Sequence, residues 1–338
     1  MREACGGARS RRSRIGIGIG VGLAVLTLGI SGCSQDTPLT TPDGKLISTS
    51  TTRIAEVNVV SADRNYARTC LAPTAPDPGQ PDVGAIVVTD PALLDAVCAL
   101  GIGPKVTAIT SAAGAIPEYL GPQLASVPTI GTHPDTAAVT AAAPDIVLTT
   151  PATAAAAHPF TSARVVTITP GDWRTEFLAV AGALHRTDSG RQRLADLRAA
   201  AAKIGNRLDA SHAQVSLVRF TGDGEVIAGT DSFAGQILSA VGVQRPAYQR
   251  LTGTTLVTDK NFTHADADLI YVSFEGAKGL EHGKQVLLSD RWLNLGAAGW
   301  KRVLSVNDDL WYRSPGLAAA WLVLNDIRTS LNGSSSDY

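Results

Sequence analysis

Arg219 follows the apolar run Val215-Ser216-Leu217-Val218 and precedes Phe220, which sets a guanidinium near the end of a strand-like segment. Its planar fork can grip carboxylate, hydroxamate or catecholate oxygens in pairs. The alternative is a surface salt bridge to Asp223 or Glu225. Trp173 and Trp311 offer flat walls for an aromatic or chelated ligand, since small-molecule pockets are commonly lined by aromatics around a few polar groups. Each is equally suited to a core. The other candidates stand where strand-like segments give way to helix-like ones: Thr89 and Asp90, Asp172, Asp231 and Phe233, Phe274 and Glu275, Tyr312 and Arg313. Asp90 also suits a helix cap before Pro91. Ligand contact is expected from Thr89, Asp90, Trp173, Arg219, Phe220, Asp231, Phe233, Phe274, Glu275, Trp311, Tyr312 and Arg313.

Other chemistries find less support. A protein-held metal needs several His and carboxylate ligands on one ion, and His133, His158, His185, His212, His264 and His282 form no close pair. His264, Asp266 and Asp268 lack the glycine and terminal Glu of a calcium loop. Gly-x-Ser-x-Gly elbows, Cys-His pairings and phosphate loops are missing, and Gly222-Asp223-Gly224-Glu225 reads as a turn rather than an acid pair. The expectation is a non-enzymatic binder with no protein-bound metal and no cofactor. Without a basic cluster interleaved with aromatics, nucleic acid is not an expected partner.

The elements that must position these residues alternate. Ala85 to Thr89 is a short apolar run of the buried parallel type, and Leu93, Leu94, Val97 and Leu100 follow at helical spacing up to Gly101. Strands are expected at 106–109, 127–130, 146–149 and 165–168, with helices at 135–142 and 173–184. Strand and helix in turn predict a mostly parallel sheet covered on both faces. Then Leu194, Leu197, Ala201, Ile204 and Leu208 recur on one face of a single amphipathic helix of about 30 Å. After it the rhythm restarts: a hairpin at 215–228 around Asp223-Gly224, a helix at 233–241, a strand at 269–272, a helix at 278–288, a strand at 302–306 and a last helix at 316–328. The fold class expected is α/β, two Rossmann-like lobes joined by one long backbone helix.

The amino terminus carries an address. Arg11, Arg12 and Arg14 precede an apolar stretch from Ile15 to Ile30, and Ser31-Gly32-Cys33 closes it. This is the pattern of a secretory signal with an acylated cysteine. About sixteen apolar residues with four glycines is short of the roughly 20 that a bilayer span needs. Residues 1–32 are read as a lipoprotein signal peptide, Cys33 as the lipidation site on the outer face of the cell membrane, and 33–80 as a flexible tether rich in Thr, Ser and Pro. Within the tether, 54–60 is strand-like and suited to pairing with the domain edge. The lobes are expected at 81–187 and 211–330, with the connecting helix at 188–210 and a disordered tail at 331–338. Five arginines and one glutamate leave with the signal, so the net charge of −1 becomes about −5. Of four cysteines only Cys70 and Cys98 remain after Cys5 and Cys33 are assigned. Two thiols in an exported chain suggest a disulfide; the alternative is a buried free thiol at Cys98.

Several segments resemble the substrate-binding proteins of bacterial ABC importers for ferric siderophores, haem and vitamin B12. They are Pro144-Asp145-Ile146-Val147-Leu148, Ala267-Asp268-Leu269-Ile270-Tyr271-Val272, and Trp292 and Leu295 with Arg302-Val303 and Val306-Asn307. The stretches Leu94–Gly101, Ile237–Val243 with Arg245-Pro246, and Val306-Asn307-Asp308 with Trp311 are similar to the ferric-dicitrate-binding-type lipoproteins of mycobacteria. The resemblance covers about residues 70–330. It implies a monomeric, membrane-tethered protein that captures a ferric siderophore or haem-like chelate between two lobes, with an ABC permease as a partner. Importer-coupled members place an exposed Glu on each lobe, and neither 149–158 nor 252–262 contains one. That departure keeps open a second expectation, an envelope lipoprotein of the same fold that binds a protein partner or stores a ligand.

Overall fold

Runs of apolar residues too short for helices become the central strands of two sheets. The computed structural model describes residues 56–332; the signal, Cys33, the tether up to residue 55 and the last six residues lie outside the described residues. After β1 (Asn58–Val59) come β2 (Ile86–Val88), α1 (Leu94–Ala99), β3 (Val106–Ile109), α2 (Gly121–Ala125), α3 (Thr136–Ala142), β4 (Ile146–Thr149), β5 (Arg164–Thr167) and α4 (Trp173–Ala183). The long helix α5 (Thr187–Leu208) follows. Beyond it lie β6 (Val215–Thr221), β7 (Gly224–Ala228), α6 (Phe233–Val241), β8 (Thr254–Leu256), β9 (Leu269–Phe274), α7 (Gly276–Leu287), α8 (Asp290–Leu293), α9 (Gly296–Gly299), β10 (Val303–Ser305) and α10 (Leu317–Ser330). The first sheet has the order β3-β2-β4-β5, all parallel. The second runs β1-β10-β9-β6-β7-β8, parallel from β1 to β6 and antiparallel at β7 and β8. This is the expected α/β class with α5 bridging the two sheets.

β2 and β4 are buried at every position, as strands covered on both faces must be. The segment 127–130, expected as a strand, gives only a lone bridge from Thr129 to Ile109. Pro128 has no N–H with which to extend a ladder. Gly224 turns the β6–β7 hairpin at φ +152°, a conformation side chains rarely adopt. On α5, Leu194, Leu197, Ala201 and Gly205 face inward. A Cβ on Gly205 would stand 1.8 Å from the Val241 carbonyl oxygen, so the bare glycine is what lets α5 and α6 cross so closely.

One apolar core runs through both halves. It includes Ile86 and Leu148 of the first sheet, Leu217 and Tyr271 of the second, and residues of α1, α4, α5, α6 and α10 between them. At its centre Asp95 of α1 accepts hydrogen bonds from the backbone N–H groups of Ala318 and Ala319, each at 2.9 Å, and from the Tyr119 hydroxyl at 2.9 Å. A carboxylate of one lobe thus caps the last helix of the other, satisfying donors that a helix start leaves open. Burial nevertheless raises the Asp95 pKa, the three hydrogen bonds opposing it in part.

The segment 56–80 is not tether. Asn58 and Val59 add a parallel strand to β10, Arg64 and Ser61 bond to Asp326 on α10, and Leu71 and Thr74 donate to the carbonyls of Cys98 and Leu100. Cys70 and Cys98 are joined in a disulfide. Asp77 accepts from the N–H groups of Thr187 and Asp188 and so caps α5. The carboxyl end is also fixed further than expected: Leu331 is fully buried, and Asn332 donates to the Leu208 carbonyl.

Candidate ligand-binding site

In open parallel sheets, ligands bind beyond the carboxyl ends of the strands. At the ends of β6, β9 and β10 the second lobe gathers Arg219, Ser273, Glu275, Asp308 and Tyr312. Both oxygens of Asp308 accept from Arg219, each at 2.8 Å, and Glu275 stands 3.1 Å from the same guanidinium. Ser273 donates to Asp308 at 3.0 Å, and the Arg219 guanidinium lies 5.2 Å from the centre of the Tyr312 ring. The hydrogen bond to Asp308 raises the Arg219 pKa, and burial pushes the Tyr312 phenol well up. Arg219 is thus paired, with partners other than Asp223 and Glu225. Glu225 is instead buried and bound by His282 and Arg291.

At the ends of β2 and β4 the first lobe holds a hydroxyl cluster. Thr89 is buried, donating to Thr149 at 2.8 Å and lying 2.7 Å from Thr153. Thr150 donates to Asp90, whose other oxygen caps the helical turn starting at Pro91. Glu176, one turn into α4, is half-buried; burial first and then the charges of Asp90 and Asp95 raise its pKa, against a backbone hydrogen bond from Gly171.

The two lobes touch where α4 and α6 begin. The Trp173 indole donates to Gln236 at 3.0 Å and meets Phe233 edge-on with ring centres 5.6 Å apart. Arg174 also bonds to Gln236 and stacks over Trp173, while Asp172 caps α4. Asp231 accepts from Gly253, and its carbonyl accepts from Gln236. Beside β1 and β10, a groove of about 330 Å³ is lined by Ser61, Tyr66, Asn307 and the exposed Glu118 of the first lobe.

Several expected contacts are corrected by this placement. Phe220 is wholly buried in the second lobe, stacked on half-buried Phe274 and tilted against Trp292. It alternates with Arg219 along β6, so the two side chains point to opposite faces of the sheet. Trp311 has no exposed surface and donates its indole N–H to Asp326. Phe233 and Trp173 are also buried, as the seam between lobes rather than as open walls. Thr89 shows no free surface. Arg313 is exposed and paired with Asp309. Arg219, Glu275, Tyr312, Asp90 and Asp231 keep accessible surface at strand or helix ends.

Residues not expected at the site include Asp308, Ser273, Gln236 and Glu176, which sequence spacing leaves unmarked. Arg245 is a further one: it is buried, and two of its guanidinium nitrogens have no hydrogen-bond partner. Its third nitrogen donates to Ala228 and Gln249, and burial lowers its pKa to about 10. Among the described residues no group of three His, Cys, Asp or Glu is placed to hold a metal ion.

Two α/β lobes bridged by one long helix define a helix-bridged two-lobe fold. The family model for periplasmic binding proteins matches residues 86–310, and the chain belongs to that family. It is 29% identical over 255 residues to the "Probable siderophore-binding lipoprotein YfiY" of Bacillus subtilis (strain 168), covering 70% of this chain and 78% of the relative. In fold it is similar to Staphylococcus aureus SirA complexed with staphyloferrin B, with TM-score 0.58, 18% identity, and 75% and 94% of the two chains covered. It is likewise similar to Staphylococcus aureus FhuD2 with bound ferrioxamine B, with TM-score 0.55, 18% identity, and 74% and 98% covered.

Proposed function

We propose that this protein is an extracytoplasmic, lipid-anchored binding protein that captures a ferric siderophore for uptake. The observation that carries the proposal is the pairing of the helix-bridged two-lobe fold with 29% identity to a relative named as a siderophore-binding lipoprotein. In this reading the chelator holds the iron, and the protein supplies the polar strand ends around Arg219, Asp90 and Asp231. Cys33 carries the lipid, which keeps the head at the membrane surface. A permease takes the cargo, although neither 149–158 nor 252–262 offers a Glu. That absence favours the second reading, an envelope protein that stores its ligand or binds a partner.

The test is a titration of the detergent-solubilised mature chain with a panel of ferric siderophores and haem, followed by tryptophan fluorescence. Saturable quenching by at least one siderophore is expected. A folded protein that responds to none of them rejects capture and leaves the partner-binding reading.

A further inference from the structure

Granting the lipid anchor at Cys33 proposed above, we infer that the protein rests on the membrane surface through the exposed indole of Trp300, with the strand-end site of its second lobe turned away from the bilayer. Trp300 is 83% exposed, the most open large apolar side chain among the described residues, while Trp173, Trp292 and Trp311 are buried and Trp321 is half-buried. Its ring is carried on a fixed turn: its own N–H donates to the Gly296 carbonyl at 3.0 Å, and that of Lys301 to the Ala298 carbonyl at 3.2 Å. The chain enters the fold at the same corner. Glu56 is the first described residue, and its carboxylate pairs at 2.8 Å with Lys301, the neighbour of Trp300. Because β1 runs parallel to β10, both strands start at this end. Residues 34–55 are all that separates Glu56 from Cys33, and fully extended they span at most about 75 Å.

The chemistry of this corner selects a phospholipid surface as its occupant. An indole joins a large apolar body to a single N–H donor, and such rings gather where hydrocarbon meets headgroups. One ring suffices on a tethered head, because the anchor makes the contact intramolecular, at an effective concentration set by the linker. Electrostatics has no part in it. With Asp266, Asp268 and Arg302, Trp300 lines an open depression of about 630 Å³. Asp266 accepts from the N–H groups of Gly296 and Ala297, Asp268 from that of Gln214, and Arg302 donates to the Leu331 carbonyl. Two carboxylates and one guanidinium offer anionic headgroups no net attraction, so the contact is made by the indole and is indifferent to salt. From this end β6, β9 and β10 run parallel. Arg219, Glu275 and Asp308 stand at the other, so a head seated on Trp300 holds them toward the outside.

Reconstituting the lipidated mature chain into zwitterionic phospholipid vesicles with brominated acyl chains tests this, since bromine quenches only indoles that touch the bilayer. Quenching is expected in the wild type at low and high salt alike, and Trp300→Ala, a change at an exposed position, is expected to abolish it. Moving the probe tests the orientation. Trp300→Ala combined with Arg313→Trp, an exposed position beyond the carboxyl end of β10, should leave the protein unquenched. In a chain attached to the vesicles, quenching that is absent, that survives Trp300→Ala, or that fades as salt rises overturns the inference. Quenching of the Arg313→Trp variant equal to that of the wild type overturns it as well. A chain that does not attach at all removes the lipid anchor itself, and this inference with it.

Discussion

Glu176 sits half-buried near two other carboxylates and away from any cation among the described residues, and its pKa is raised above the ordinary 4.5. Its ionised form is penalised in the folded state. The contribution of this group to stability should therefore rise as the pH falls through the raised folded value, and be complete below about 4.5. Glu176→Gln removes the penalty. Its urea midpoint at pH 7 is expected to lie above that of the wild type with an unchanged slope, and the difference should vanish once the pH is below the unfolded value. A variant no more stable at neutral pH would contradict this. The same scale shows why some side chains were unreadable in sequence. Arg219 was visible as a guanidinium at a strand end, but Asp308, its partner, lies 89 positions away. Trp311 looked like a loop aromatic because its acceptor, Asp326, is on α10. Long-range pairing, not residue type, decided both.

Among the elements, central strands and α5 were legible because burial writes itself as apolar runs and as a 3.6-residue stripe. The segment 56–80 was legible only in its edge strand near 58–59 and its disulfide, and the rest of it was not. It is held by backbone hydrogen bonds, by the Arg64–Asp326 pair and by the cap that Asp77 places on α5, none of which leaves an apolar pattern. Its covalent tie is the Cys70–Cys98 disulfide, with a sequence separation of 28. Reducing that bond, or replacing both cysteines by serine, should lower stability by about 3–4 kcal/mol on the chain-entropy account. Denaturant titration with and without reductant measures it, and equal midpoints would show that the non-covalent contacts alone hold the leader. At the strand ends, side chains divide between surface and core according to strand parity, as Arg219 and Phe220 illustrate.

At the scale of the whole molecule, the lobes share one core and one clasp. Asp95→Ala would strand two buried N–H groups and the Tyr119 hydroxyl, at an expected cost of about 2–4 kcal/mol. The amides of Ala318 and Ala319 should then exchange hydrogen much faster, and persistent protection would show that the cap is dispensable. In the wild type, X-ray scattering curves of the empty and loaded protein should superimpose. Under the proposed reading such a molecule works as a gauge rather than a trap, because its two lobes share a core. If it captures a chelate as proposed, anything that receives the cargo must then sense the chelate itself, because the carrier's outline gives no sign of being full.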